Sequence, residues 1–255
     1  MTKFAKPLSL RPNSTIAQAQ PVTAMLLAAG LGKRMRPLTA TRPKPLVEVG
    51  GRSLLDHALD RVRAGGVRRA VVNVHYLADA LEAHLRRHAE GLDIAISDER
   101  AELLETGGGV VHALPLLGER PFYVVNTDNL WVDGPADTLR LLAGGWDDAE
   151  MDALLLVVPL ARATAHEGLG DFHMDSAGRL ARRAARRVAP FVYTGVQLVS
   201  PRLFDDAPTG PFSMNLLWNR AIEAGRVFGV VHQGLWCDVG TPGAIAVAED
   251  MLRHG

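Results

Sequence analysis

The chain has 255 residues, 47% of them hydrophobic and 22% charged, which suits one large α/β domain with a sizeable core. Its 28 lysines and arginines balance 28 aspartates and glutamates. A neutral chain lacks the electrostatic footprint of a nucleic-acid or membrane-surface protein, and no apolar run approaches the roughly 18 residues of a membrane span.

Residues 1–21 carry no apolar stretch long enough for a signal peptide and read as a disordered tail or expression remnant. The domain is expected over 22–255. Val22 to Ala29 is a continuous apolar run, as in a parallel strand buried on both faces, and it ends in glycines. Ser53 reads as an N-cap; Leu54, Leu55, Ala58, Leu59 and Val62 follow helical spacing, and Gly65-Gly66 ends that helix. Then come a strand over Ala70–Val74, a helix through Leu77, Leu81 and Leu85, a short strand over Ile94–Ser97 and a helix over Gly108–Leu114. The buried strand Phe122–Val125 runs straight into Asn126-Thr127-Asp128. Beyond it, Leu154–Val158 is a strand, and Asp171–Asp175 and Leu180 onward flank a hairpin turn at Ser176-Ala177-Gly178. Val192–Val199 is a strand, Phe212–Ala224 a helix closed by Gly225, Val227–Val231 and Leu235–Val239 short strands, and Ala244–Leu252 a last helix. No hexapeptide repeat announces a β-helix. The expected fold is α/β: a Rossmann-like, mixed but mostly parallel central sheet flanked by helices, with a small antiparallel excursion.

Chemistry concentrates in Leu27–Pro45, a phosphate-binding loop. Gly30 and Gly32 follow a buried strand, where glycines let backbone N–H groups approach phosphate oxygens. A Walker A loop would need Gly at 27 and Ser or Thr at 34; a dinucleotide fingerprint would need Gly at 35, where Met35 stands. On the GxG alone, a plain tight turn stays open. Arg34, Arg36, Arg42 and Lys44 follow, stiffened by Pro37, Pro43 and Pro45, and suit a triphosphate, although any one of them could be a solvated surface charge. Asp128 and Asp238 each end a strand. Two carboxylates converging on a triphosphate suit Mg²⁺, while each alone could be a cap or turn residue. Glu105-Thr106-Gly107-Gly108 opens a helix; its glycines would let a base or ribose lie against backbone, or it is a loop with Thr as N-cap. The histidines form no metal-ligand spacing. The single cysteine, Cys237, allows no intramolecular disulfide, fits a reducing cytoplasm and is expected to pack as a small apolar residue. Trp218 and Trp236 are expected in the core or a pocket wall.

The run LAAGLGKRMRPLTATRPKPLVEVGGRSLLDHAL resembles the N-terminal signature of the sugar-1-phosphate nucleotidylyltransferases. Three further blocks agree: Leu104–Gly109, Asn126-Thr127-Asp128 and Trp236–Pro242. The Glu-Thr-Gly-Gly-Gly block and compact length are most similar to the N-acetylmuramate-1-phosphate uridylyltransferases of bacterial peptidoglycan recycling. The resemblance implies the nucleotide-diphospho-sugar transferase type of fold and nucleotide contacts from Leu27, Ala28, Ala29, Gly30, Gly32, Lys33, Arg34, Lys44, Glu105, Thr106, Gly107, Gly108 and Asn126. It implies catalytic roles for Arg34, Lys44 and Asp128, Mg²⁺ on Asp128 and Asp238, and sugar contacts from Asp128, Gly170, Thr194, Gly195 and Asn215. One segment departs. Many relatives carry Glu-Lys-Pro before the Tyr-Thr-Gly strand; here Arg182–Pro190 has no glutamate, which leaves the sugar open. The five arginines from Arg179 to Arg187 are either a solvated basic face or the seat of an anionic group such as the lactyl carboxylate of muramic acid.

The expected reaction is nucleotidyl transfer in the cytoplasm by a monomer or small homo-oligomer whose partners are a nucleoside triphosphate and a sugar 1-phosphate. The nucleophile is a phosphate with a second pKa of about 6, so no general base is needed. UTP and N-acetylmuramate 1-phosphate are the expected pair. Competing readings are a mannose-1-phosphate guanylyltransferase, another sugar- or choline-phosphate nucleotidyltransferase, and a non-catalytic nucleotide-sugar-binding subunit. The last would have lost Lys44 or a metal carboxylate.

Overall fold

The computed structural model describes residues 20–254; of the expected tail, only Gln20 and Pro21 lie within them. Strand β1 (Thr23–Leu27) is buried on both sides, Met25 against one helical layer and Leu26 against the other. A short hairpin, β2 (Glu48–Val49) and β3 (Arg52–Ser53), leads into helix α1 (Leu54–Ala64), which Ser53 caps by accepting the Asp56 N–H at 3.0 Å. There follow β4 (Arg69–Val74), α2 (Ala78–His88), β5 (Asp93–Asp98), α3 (Glu105–Leu117), β6 (Phe122–Asn126), β7 (Asn129–Val132) and α4 (Thr138–Gly145). The second half continues with β8 (Ala153–Pro159), β9 (Phe172–Met174), β10 (Leu180–Arg182), β11 (Phe191–Val199), α5 (Asn215–Glu223), β12 (Val227–Val231), β13 (Leu235–Asp238) and α6 (Gly243–His254).

The main sheet runs β12-β8-β11-β6-β1-β4-β5. All of these strands point one way except β11, which is antiparallel to both β6 and β8. The β9–β10 hairpin, the antiparallel excursion, attaches to the start of β11 through Phe191 and Phe172. Helices α1, α2 and α4 cover the face of Leu26, Val72 and Val125; α3 and α5 cover the face of Met25, Val71 and Val124. A separate ribbon, β7 with β13, packs with α6 around Met35, Leu130, Cys237 and Ala248. Among the described residues no helix is long and apolar enough to cross a membrane.

The α/β expectation holds, and the sequence reading missed β2, β3, β7 and α4. Helix α4 is short and ends in Gly144-Gly145, which cost about 1 kcal/mol each in a helix. It forms because Leu139 and Leu142 are fully buried, each gaining ~1.5–3 kcal/mol. Helix α3 starts at Glu105, three residues before the expected start, because its glycines pack closely: the N–H groups of Gly107 and Gly108 donate to the Phe212 carbonyl at 2.9 and 3.1 Å. Phe212–Met214 is correspondingly not the first turn of α5 but a seat for α3.

Candidate active site

Strands β1, β4 and β6 end on one edge of the sheet, where open α/β sheets bind ligands. The Thr127 hydroxyl donates to the Leu27 carbonyl at 2.8 Å, tying the Asn-Thr-Asp turn to the end of β1. A cleft of about 330 Å³ opens there, lined by Leu27, Ala28, Ala29, Gly30, Lys44, Asn73, Glu105, Thr106, Asn126 and Asp128. Most of the expected nucleotide-side positions therefore meet in one place.

Lys44 is nearly buried, and its Nζ lies 2.7 Å from Asp128 Oδ2. The Asn129 amide holds the other Asp128 oxygen at 2.9 Å. Asp238 reaches the same spot through the ribbon: it pairs with Asn129 in the β7–β13 register, and the Val239 N–H donates to the Asp128 carbonyl at 3.0 Å. Burial and the Asp128 charge raise the Asp238 carboxyl above its ordinary value, while Lys44, Arg34 and His166 pull the other way. The Arg34 guanidinium lies against Gly240 and Asp238; a Cβ on Gly240 would sit 2.9 Å from Arg34 Nη1 and 3.0 Å from Asp238 Oδ1. Two carboxylates in mutual repulsion, both hard oxygen donors, fit Mg²⁺. The Cys237 thiol next to them is buried, its pKa pushed up to about 11, so it is a protonated, packed side chain.

Beneath the cleft lies a buried polar link. Asn73 Oδ1 accepts the Ala28 N–H at 2.6 Å, and Asn73 Nδ2 donates to Glu99 at 2.7 Å. The other Glu99 oxygen accepts the Leu104 N–H at 3.1 Å. Asn73 and Glu99 are 3% and 2% exposed, so this link fixes the first loop against the start of α3 without help from solvent. Both residues were missed. The available signal was a lone asparagine in the otherwise apolar core of Arg69–Val74.

Several expected contacts are replaced by packing. Gly107 and Gly108 do not line the cleft; their N–H groups are spent on Phe212, and a Cβ would strike the Phe212 ring or the Gly210 carbonyl. Thr106 does not cap its own helix but accepts the Met214 N–H at 2.9 Å. Gly32 does not line the cleft either; at φ 59° it lets the loop fold onto Thr39 and Lys44. Lys33 is exposed and outside the cleft. Gly170 is buried, its carbonyl taken by Arg183 Nε at 2.9 Å. Thr194 is fully buried, with its hydroxyl on the Leu156 carbonyl at 3.0 Å and its own carbonyl on the Trp236 indole at 2.9 Å. Its side chain therefore does not reach a sugar. Gly195 does face the carboxylates, at a bulge in β11, together with Asn126, Asn129 and His166. The His166 Nε2 is buried there without a protein partner.

A second cavity of about 270 Å³ shares Leu27, Thr106, Asn126 and Ser213 with the first and continues to Asp171, Arg182, Tyr193, Gln197 and Asn215. Of the arginine run, only Arg182 lines it. Arg179 lies over Phe228 and Arg183 bonds backbone carbonyls. Asn215 has its Oδ1 on Arg182. The histidine reading is also corrected: His84 and His88, one helical turn apart, stack at 4.1 Å, and His84 Nε2 lies 2.7 Å from Asp56, clipping α2 to α1. Among the described residues this is the one cluster that brings three histidine or carboxylate ligand atoms within 4.8 Å.

Residues 23–182 match the family model described as Nucleotidyl transferase. The N-acetylmuramate alpha-1-phosphate uridylyltransferase of Caulobacter vibrioides is 48% identical over 237 residues, covering 92% of this chain and 98% of that protein. The enzyme of the same name from Neisseria meningitidis is 36% identical, over 86% of this chain and 93% of its own. Among solved structures, the inositol-1-phosphate CTP transferase from T. maritima superposes with a TM-score of 0.76 at 19% identity, over 92% of this chain and 96% of that one, a likeness of fold.

Proposed function

This chain belongs to the nucleotidyl transferase family, and on that premise we propose that it transfers the uridylyl group of UTP to N-acetylmuramate 1-phosphate. The observation that carries the transfer is the meeting of Lys44, Asp128 and Asp238 at the strand edge beside a phosphate-binding loop. The substrate pair rests on the two uridylyltransferase relatives, one of them spanning nearly the whole of both chains. We place the reaction in the cytoplasm, with a single buried cysteine.

In the proposed step an oxygen of the sugar phosphate bonds to the α-phosphorus of UTP. The bond from that phosphorus to the β-bridging oxygen breaks, and pyrophosphate leaves with the electron pair. No proton has to move, so the chain supplies alignment and positive charge. The Ala28–Gly30 backbone lines the nucleotide side. Lys44, held in place by Asp128, faces the charge that builds on the α-phosphate. Arg34, beside Asp238 and Gly240, holds the departing pyrophosphate. Asp128 and Asp238 would hold Mg²⁺, which supplies charge neutralisation and orientation of phosphate oxygens when bound.

The test is pyrophosphate release from UTP and N-acetylmuramate 1-phosphate with Mg²⁺. Asp128→Asn is expected to lose at least about a thousandfold in kcat while melting within a few degrees of wild type. Near-normal turnover would sink the assignment. Release from GTP and mannose 1-phosphate in place of the uridylyl pair would replace the substrates and leave the reaction. No release from any pair would favour a binding subunit.

A further inference from the structure

Arg182 is held in an unusual state for a surface-strand arginine. Its guanidinium carbon lies 4.7 Å from the Phe172 ring centre and 5.4 Å from that of Trp218. Nε donates to Asn219 Oδ1 and Nη2 to Asn215 Oδ1, both at 2.7 Å. Two rings and two amides thus fix the plane of the guanidinium, and no carboxylate among the described residues comes within ion-pair distance of it. Nη1 is left with its N–H groups unclaimed by protein. Burial lowers the pKa of this guanidinium and only the charge of Asp171 opposes it, as expected of a cation partly stripped of water before any partner arrives.

Arg182 lines the second cavity, which shares Leu27, Thr106, Asn126 and Ser213 with the nucleotide cleft. A further wall residue points to a ligand: Tyr193 is half-buried, and its hydroxyl is shut off from solvent with no protein partner. Buried polar groups are nearly always satisfied, so an orphan hydroxyl on a cavity wall marks a place where a polar ligand atom or ordered water belongs. Asp171, whose Oδ2 already takes the Tyr193 N–H at 2.9 Å, leaves its other oxygen for a sugar hydroxyl. The cavity therefore offers a hydroxyl partner, an acceptor and a pre-oriented cation.

A sugar whose only charge is its 1-phosphate has no use for that cation, because the phosphate belongs at Lys44 and the carboxylates. We propose that Arg182 is the specificity-determining residue that reads a carboxylate on the sugar ring, the lactyl carboxylate of a muramate 1-phosphate. This rests on the reading of the chain as a uridylyltransferase of that sugar. The free Nη1 can donate a charge-assisted N–H···O bond to that carboxylate, and the stacking against Phe172 and Trp218 supplies in advance the ordering that such a bond demands. Asn215 contributes by orienting Arg182, and so reaches the sugar indirectly.

The full chain is assayed with Mg²⁺ and UTP against N-acetylmuramate 1-phosphate and against the same compound with its lactyl carboxylate converted to the carboxamide. Wild type is expected to favour the carboxylate about 10- to 100-fold in kcat/KM, the range of one charge-assisted hydrogen bond. In Arg182→Gln that preference should collapse to within about threefold, through loss on the carboxylate substrate alone, and Arg182→Lys should recover part of it. Melting curves check that the variants fold. An undiminished preference in folded Arg182→Gln overturns the assignment. Equal losses on both sugars overturn it too, because a merely structural role would give that result. If wild type releases no pyrophosphate with either compound, the substrate reading is what fails. The sugar 1-phosphate that is turned over in a panel then decides for Arg182: one bearing a carboxylate upholds it, and a neutral sugar overturns it.

Discussion

Replacing Glu99 by glutamine exchanges one oxygen for an amide nitrogen at constant volume. The carboxylate faces two donors, Asn73 Nδ2 at 2.7 Å and the Leu104 N–H at 3.1 Å. Asn73 cannot turn to help, because its oxygen is held by the Ala28 N–H at 2.6 Å. The new amide must therefore point donor to donor in one direction or the other. A buried donor left without an acceptor costs about 1–3 kcal/mol, and losing the buried charge returns part of that. For a chain of this size each kcal/mol moves the melting temperature by about 2–4 °C, so a fall of about 2–8 °C is expected. Ala28 lines one wall of the nucleotide cleft and Leu104 joins Leu103 and Glu105 of another, whereas Lys44, Asp128 and Asp238 come from other segments. The KM for UTP should accordingly rise several-fold while kcat stays within about twofold. Thermal melts and steady-state pyrophosphate release measure both. A higher melting temperature would show that desolvation of the carboxylate outweighs its bonds. A fall in kcat at unchanged KM would show that the link serves the reacting centre; either result refutes the reasoning.

Gly195→Ala adds a Cβ at φ 84°, in contact with the Asn129 amide and 3.0 Å from Asn126 Cβ. Left-handed strain and overpacking together cost about 2–5 kcal/mol, and since Asn129 holds Asp128, kcat should fall at least about tenfold along with the melting temperature. Asp238→Asn should behave in the opposite sense for stability. A carboxyl whose folded pKa is raised opposes folding at pH values above its unfolded value, so without metal the variant should melt higher than wild type at pH 7 and gain nothing from Mg²⁺. Differential scanning calorimetry with chelator and with Mg²⁺ reads both. At the α1–α2 clip, burial works to raise the Asp56 carboxyl, but hydrogen bonds from His84 and Ser53 and the charges of His84 and His88 hold it below 3.8. A depressed carboxyl stabilises above its unfolded pKa and loses that contribution as pH falls through the folded value. Asp56→Asn should therefore lower the urea midpoint at pH 7, and the difference from wild type should shrink as the pH falls through the folded value.

Much of the triphosphate side was legible because local chemistry declares it. A buried strand running into Gly30, a Ser53 cap and a proline-stiffened Lys44 are short-range signals, and they sit where expected. Two classes of feature were not legible. Asp128 and Asp238 converge through a ribbon of two short strands, and nothing in Asn129–Val132 says which distant segment it will pair with. The glycines of α3, Gly170 and Thr194 look alike in sequence whether they touch a ligand or a neighbour; only the fold shows their packing against Phe212, Ala189 and Leu156. Arg182 stood out from four neighbouring arginines only once Phe172 of β9 and Trp218 of α5 closed on it.

The ribbon has a further consequence for the order in which the protein comes into being. Every other element of the nucleotide cleft lies upstream of β13, whereas the second carboxylate emerges from the ribosome just ahead of α6, the last helix described. A nascent or truncated chain ending before Asp238 would carry every residue that lines the strand-edge cleft and only one of the two facing carboxylates. The meeting of the two carboxylates therefore waits on the docking of the final strand.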